Sequence, residues 1–508
     1  MDTTGKIGFD NELYLKQQSE EILKRAERFN NKLYLEFGGK LACDFHAARI
    51  LPGFDPNVKL KLLQRLKDKI DVVICIFSGD IERKKIRADF GITYDVDTMR
   101  LIDSLREHEI QVKAVVVTRY DDHPAVNSFI HKLERRGIRV YKHNTIKGYP
   151  ADVDLIVSEK GYGANEYIET EKPIVIVTGP GPSSGKMATC LSQVYHDHLR
   201  GISTGYAKFE TFPVWNLPLN HPVNIAYEAA TADIGDSNML DPFHIEATGQ
   251  TAINYNRDIA IFPVVRKICE RIMGKEKAYV SPTDMGVNRV GFAISDMDVV
   301  CEAAKQEVIR RYFRYRCEYA LGATEQETVN RVKVLMENLG LKEEDRPTVL
   351  PARHAMELAA ETPGKGNDGY FCGAAMMLSN GKIVIGKNSP LLHAAASCVL
   401  NAIKELAGLP APLPLLAPEI MEAVGDLKHN ILGMSRMGLN LDEMLIALTV
   451  SSASNPTAAY AMNKLRLLNG CEMHMSHIPT TGDAAGLRKL CINVTSDPKF
   501  PSRDLLID

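Results

Sequence analysis

Apolar positions in the first third of the chain fall in short, almost unbroken runs, and these runs alternate with segments of helical periodicity. Leu33–Phe37, Val72–Phe77, Val112–Thr118, Ile138–Tyr141, Leu155–Val157 and Ile174–Thr178 are β-branched and nearly all apolar. That is the pattern of strands covered on both faces. Between several of them, Val58–Lys69, Asp97–His108 and Ala125–Arg136 carry apolar residues at helical spacing. Strands alternating with helices predict an α/β fold: a doubly wound, mostly parallel sheet with right-handed crossovers. Ligands of such sheets bind beyond the carboxyl ends of the strands.

The middle of the chain, from about Gly201 to Tyr319, is more irregular. It holds Trp215 in a Pro-rich stretch and ends in a charged helical pattern, Asp298–Tyr319. A second helix is expected over Glu325–Leu339, before the polar Lys342–Pro347. The main boundary therefore falls near residues 320–347, and two domains are expected. Residues 1–322 form a Rossmann-like, P-loop-like α/β domain, and residues 323–508 a smaller C-terminal α/β (α+β) domain with a hairpin-helix element. In the latter, Ala374–Leu378 and Lys382–Ile385 flank Ser379-Asn-Gly381, a tight-turn signal. A helix is expected to start at Ser389 and Pro390 and to end before Gly408. Asn455-Pro456 starts another helix, and Leu487–Asp497 holds a final helix-to-strand step.

Composition narrows the function class. The chain has 508 residues, 45% hydrophobic and 25% charged, with a net charge of -3 from 61 basic and 64 acidic residues. There is no basic excess of the kind a nucleic-acid surface shows. No stretch reaches the roughly 18 apolar residues of a membrane span, and Met1–Lys6 gives no sign of a signal peptide. The ten cysteines include no Cys-x-x-Cys pair, which argues against a zinc ribbon or a disulfide framework. A cytoplasmic protein is expected, with no nucleic-acid or membrane partner and assembled as a homo-oligomer.

One segment implies a ligand class directly. Ile174–Thr178 runs into Gly179-Pro-Gly-Pro-Ser-Ser-Gly-Lys186, with a helix behind it. Loop amides and a helix N-terminus can hold anionic oxygens, and a lysine can neutralise them. The match to the P-loop pattern G-x-x-x-x-G-K-[ST] is incomplete. Pro180 stands at the first glycine position, and Met187 stands where a hydroxyl would hold magnesium. Thr189 lies roughly 200° further round a helix, so Ser183 or Ser184 is the alternative hydroxyl. Gly179, Gly181, Ser183, Ser184, Gly185 and Lys186 are the expected phosphate binders, and the cofactor in view is a nucleotide with Mg. The bland alternative is a strand-to-helix turn with Lys186 in solvent.

Partners for this turn are less specific. Lys208 and Glu210 give Tyr206–Phe212 a polar strand face. Asp233, Asp241 and Asp284 are the candidate acid/base groups alongside Lys186; turn capping is the competing reading for them. Lys40, Asp44, His46 and Arg49 form a second polar group. Thr480 and Thr481, before a helix, offer a second anion site, with capping by Asp483 as its alternative. Glu472, His474 and Ser476 share a strand face that excludes His477, so no metal site is expected there. Gly373–Leu406 resembles the hairpin-then-helix of cytidine deaminases. It carries His393-Ala-Ala395 where those enzymes need His-Ala-Glu, and it lacks their cysteine pair.

Five strings resemble a known family: Leu33–Lys40, Asp44–Arg49, Ile176–Lys186, Gly205–Pro218 and Ser281–Asn288. They are similar to the conserved hypothetical bacterial proteins classed as domain of unknown function 1846, and the likeness covers almost the whole chain. It implies a cytosolic bacterial α/β protein of two domains and assigns no catalytic residues. The residues themselves favour an enzyme acting on a phosphate-bearing substrate by phosphoryl-type transfer or cleavage. The alternatives are a non-catalytic sensor or scaffold that binds a phosphorylated metabolite, and an oligomeric structural protein.

Overall fold

The computed structural model describes residues 6–30, 32–87, 91–433 and 438–503. Residues 1–5, which bear on the signal-peptide expectation, lie outside them. The described chain divides into two compact units, Ile7–Ala304 and residues 305–503.

The first unit is built on a seven-stranded sheet. Its strands are β1 (Leu33–Phe37), β2 (Ile70–Phe77), β3 (Val112–Thr118), β4 (Val140–His143), β5 (Ile174–Thr178), β6 (Gly205–Phe209) and β7 (Gly286–Val287). They lie in the order β7-β6-β1-β5-β2-β3-β4, and every neighbouring pair is parallel. Every residue of β1 and β5 is buried, which is why these strands read as unbroken apolar runs. The flanking helices include α1 (Val58–Arg65), α2 (Tyr94–Glu107), α3 (Pro124–Glu134), α4 (Lys186–Leu199), α5 (Pro222–Ala230) and α6 (Asn256–Met273). β5 returns to the middle of the sheet, between β1 and β2. The turn after it therefore opens at the carboxyl ends of the central strands.

One expected strand is absent. Val153–Ile156, which overlaps Leu155–Val157, is a short helix capped by Asp152, whose carboxylate accepts from the Leu155 amide at 3.0 Å. The local cap decides here, because a three-residue apolar run has no periodicity of its own.

The second unit carries a four-stranded mixed sheet: β8 (Gly373–Met377), β9 (Ile383–Lys387), β10 (Glu472–Met475) and β11 (Asn493–Ser496). The order is β9-β8-β10-β11. β8 is antiparallel to β9 and β10, whereas β10 and β11 are parallel. The hairpin turns at Gly381, φ 80°. Its following helix, α7 (Ala394–Leu406), starts four residues later than the serine signal implied, with His393 as its N-cap. Ser389 instead closes a turn, accepting from the amides of Leu391 and Leu392. The last helix is α8 (Thr481–Lys489). Among the described residues, no helix is long and apolar enough to cross a membrane.

Candidate functional site

The turn between β5 and α4 is held from outside. Gly185 has φ 87°, the left-handed region, and a Cβ there would lie 2.8 Å from the Thr118 side chain. At Gly181 a Cβ would lie 2.5 Å from the Tyr94 hydroxyl. Only glycine gives this path with both walls in place. Ser183 also has a positive φ, 58°. Two carbonyls of the turn are engaged by its neighbours. The Thr118 hydroxyl donates to Ser184 O at 2.8 Å, and the Arg119 guanidinium, lying 3.4 Å from the Phe77 ring centroid, donates to Ser183 O. Among the described residues, the amides of Ser183, Gly185 and Lys186 have no main-chain acceptor. Those amides are the donors a phosphate would use.

Lys186 folds back over the turn. Its ammonium donates to Gly181 O at 3.1 Å and to Ser184 Oγ at 3.2 Å. Burial lowers its pKa from the ordinary lysine value, an effect opposed mainly by the charge of Glu36. The outward, solvated lysine of the bland reading is not what the chain forms.

Glu36 leads to a group of charges that sequence reading did not assemble. In the parallel register, Glu36 of β1 stands opposite Lys208 of β6 and Val177 of β5. The Tyr206 hydroxyl donates to Glu36 at 2.6 Å. Lys208 bonds two carboxylates, Glu210 at 2.6 Å and Asp258 at the start of α6. Glu36, Glu210 and Asp258 are all buried. Burial alone would depress the Lys208 ammonium, but Asp258, Glu210 and Glu36 outweigh it and raise its pKa. Glu210 is pushed up to about 7 by burial, with Lys208 opposing and Asp258 adding to the rise. A carboxyl poised near neutrality beside a like charge is a feature of acid/base sites.

The other candidates lie at separate places. Asp241 is buried and accepts from the Thr283 hydroxyl at 2.7 Å, the Thr283 amide and Asn254 Nδ2 at 3.2 Å each, and the His244 amide at 3.0 Å. Asp284 accepts from the Val280 amide at 3.1 Å and pairs with Arg28 at 3.2 Å. Asp233 is exposed and acts electrostatically on Tyr94, the wall behind Gly181. Of the second polar group, Asp44 forms a buried pair with Lys59 at 2.9 Å, and His46 packs 5.3 Å from the Tyr227 ring. Lys40 joins Arg87, Arg100, Gly179 and Pro180 around a cleft of about 200 Å3 beside the turn.

Thr480 and Thr481 belong to the second unit. Thr480 is the N-cap of α8: its hydroxyl accepts from the Asp483 amide at 3.3 Å and donates to the Asp483 carboxylate at 2.8 Å. That carboxylate also meets His393 Nδ1 at 2.8 Å and the Leu441 amide at 2.9 Å. Thr481 is exposed. His474 bonds the Thr495 hydroxyl at 2.8 Å. Among the described residues, no three His, Cys, Asp or Glu side chains form a group that could hold a metal ion.

The first unit is thus an α/β protein with a parallel sheet and a polar site at the carboxyl ends of its central strands. The chain belongs to the family described as domain of unknown function DUF1846, matching its N-terminal domain over residues 7–340 and its C-terminal domain over residues 344–506. It is 56% identical over 501 residues to a UPF0371 protein of Clostridium botulinum strain Alaska E43, covering 98% of this chain and 99% of that one. A UPF0371 protein of strain Loch Maree is 55% identical over the same length and the same shares.

Proposed function

We propose that the Gly179–Lys186 turn binds the phosphate of a small molecule, with a nucleotide as the leading candidate, and that the unit acts on it by phosphoryl-type transfer or cleavage. The observation that carries this reading is the placement of the Lys186 ammonium on the turn, beside amides without main-chain acceptors. The cleft bordered by Lys40, Arg87 and Arg100, with Asp97, Asp103 and Glu107 also on its wall, gives the rest of such a ligand somewhere to lie. Positioning and charge neutralisation carry most phosphoryl-transfer catalysis, and both are what this turn can supply. Titration calorimetry with ATP, ADP and pyrophosphate tests the binding. Lys186→Ala is expected to weaken the tightest of them at least tenfold, and an unchanged affinity removes the turn from the site.

A second reading, a non-catalytic sensor of a phosphorylated metabolite, is favoured by Met187. It places a partly buried thioether where a magnesium-binding hydroxyl would stand, and Ser184 Oγ is already engaged by Lys186. A magnesium–nucleotide turnover assay separates the two: a sensor gains thermal stability from its ligand and releases no product.

A further inference from the structure

The charges behind the turn do not balance, and the imbalance has a consequence for ligand binding. Three buried carboxylates, Glu36, Glu210 and Asp258, share two ammonium groups, Lys186 and Lys208. Lys208 is bonded to two of the carboxylates at once. Lys186 interacts electrostatically with both Glu36 and Lys208, so the turn and the cluster form one electrostatic unit. The Arg119 guanidinium bonded to Ser183 O stands on the turn in addition to these five groups. With all five ionised, the set carries one net negative charge before any ligand arrives. A phosphate dianion added beside it meets that charge in a partly dehydrated setting, where like charges repel strongly.

From this arrangement we infer that the site takes up a proton, on Glu210, together with its phosphate-type ligand. The inference rests on the turn being the phosphate site. Glu210 is the member of the set to which we assign the proton. Its carboxyl shares Lys208 with Asp258, and its pKa already stands near 7. Lys208 on β6, Asp258 on α6 and Tyr227 on α5 act on it directly, and Glu36 on β1, bonded by Tyr206 of β6, acts on Lys208. Asp44 and Asp236 act on Tyr227, and Lys59, paired with Asp44, lies over the Phe209 ring. The Tyr227 hydroxyl is held neutral by burial, with Asp44, Glu210 and Asp236 adding to the effect. Tyr206 is likewise held neutral by burial and by Glu36. Neither can absorb the incoming charge. An anion near Lys186 raises the proton affinity of the cluster further, and each proton taken up makes affinity fall tenfold per pH unit where the free site is ionised.

Inorganic sulfate is the probe, because it mimics the phosphate dianion without titrating in the working range. Its affinity is measured by calorimetry from pH 6.5 to 8.5, in buffers of different ionisation heat. Wild-type protein is expected to bind sulfate up to tenfold more weakly per unit above about pH 7 and to take up close to one proton per sulfate near pH 8. Glu210→Gln, which fixes the neutral form, is expected to bind with the low-pH affinity throughout. Lys186→Arg, which keeps its charge at every pH used, is expected to retain the wild-type proton uptake. This variant decides the matter if Glu210→Gln fails to fold. Sulfate binding that Lys186→Ala removes, yet that is independent of pH in wild type, overturns the proton coupling and leaves the phosphate site standing. A pH dependence that persists in Glu210→Gln, or that vanishes in Lys186→Arg, overturns it too, because the titrating group is then another than Glu210. If no sulfate binding is lost in Lys186→Ala, the phosphate reading fails, and the coupling with it.

Discussion

At the scale of single residues, the turn depends on Gly185 more than on any hydroxyl. Its φ of 87° and the 2.8 Å approach of Thr118 leave no room for a side chain. Gly185→Val is expected to cost about 2 to 3 kcal/mol, since a β-branched residue is strained at positive φ before any clash is counted. Urea denaturation checks this, and a loss under about 0.5 kcal/mol, within the range of a surface substitution, shows that the turn can relax. Residue types near the turn were legible in the sequence; residue partnerships were not. Gly179–Lys186 announces itself because its members are contiguous. Glu36, Lys208 and Asp258 lie far apart in the chain and meet only through the β1–β6 register and the start of α6. Inside Leu33-Tyr-Leu-Glu-Phe37, Glu36 looks like an exception in an apolar run, and only its partners give it meaning.

Elements were readable to the extent that their own sequence decides them. β1, β2, β3 and β5 form where long β-branched runs predict them, because burial on both faces leaves such runs no polar alternation. Leu155–Val157 failed as a strand because Asp152 caps a turn of helix at that point. In the second unit, Arg346 ties elements together. It is 1% exposed, donates to the Thr495 hydroxyl on β11 at 2.8 Å, and pairs with Glu472 on β10 at 2.6 Å. Its other bonds reach the main-chain oxygens of Met473 and Asn493. Arg346→Ala strands these acceptors, although Arg310 still pairs with Glu472. A loss of about 3 kcal/mol is expected. Thermal unfolding of the variant reads it out, and a Tm within a degree of wild type would show the network to be dispensable.

For the whole molecule, acid is the condition that reaches both units. His143, on β4, is held neutral at about 4 by burial, while the carbonyl of Glu166 accepts its Nε2–H at 3.1 Å. His477, in the second unit, is also lowered to about 4, chiefly by burial. Both bases bind protons more weakly folded than unfolded. Their contribution to stability is therefore complete above the ordinary histidine value and is lost as pH falls from about 6.5 towards 4. Denaturant titrations at pH 7.0, 5.5 and 4.5 are expected to show declining stability, and the decline shallower in His143→Gln and in His477→Gln. Equal slopes in wild type and both variants would assign the acid sensitivity to other groups.

The resting position of Lys186 carries a last consequence. Because the ammonium already has two oxygen partners in its own turn, an incoming anion must outcompete Gly181 O and Ser184 Oγ rather than fill a gap. Weakly charged solutes such as chloride or acetate gain little from that exchange, whereas a multivalent oxyanion that engages several amides at once recovers more than it displaces. On the proposed phosphate reading, the closed latch would act as a filter, keeping abundant monovalent ions out while admitting the rarer, more highly charged guest.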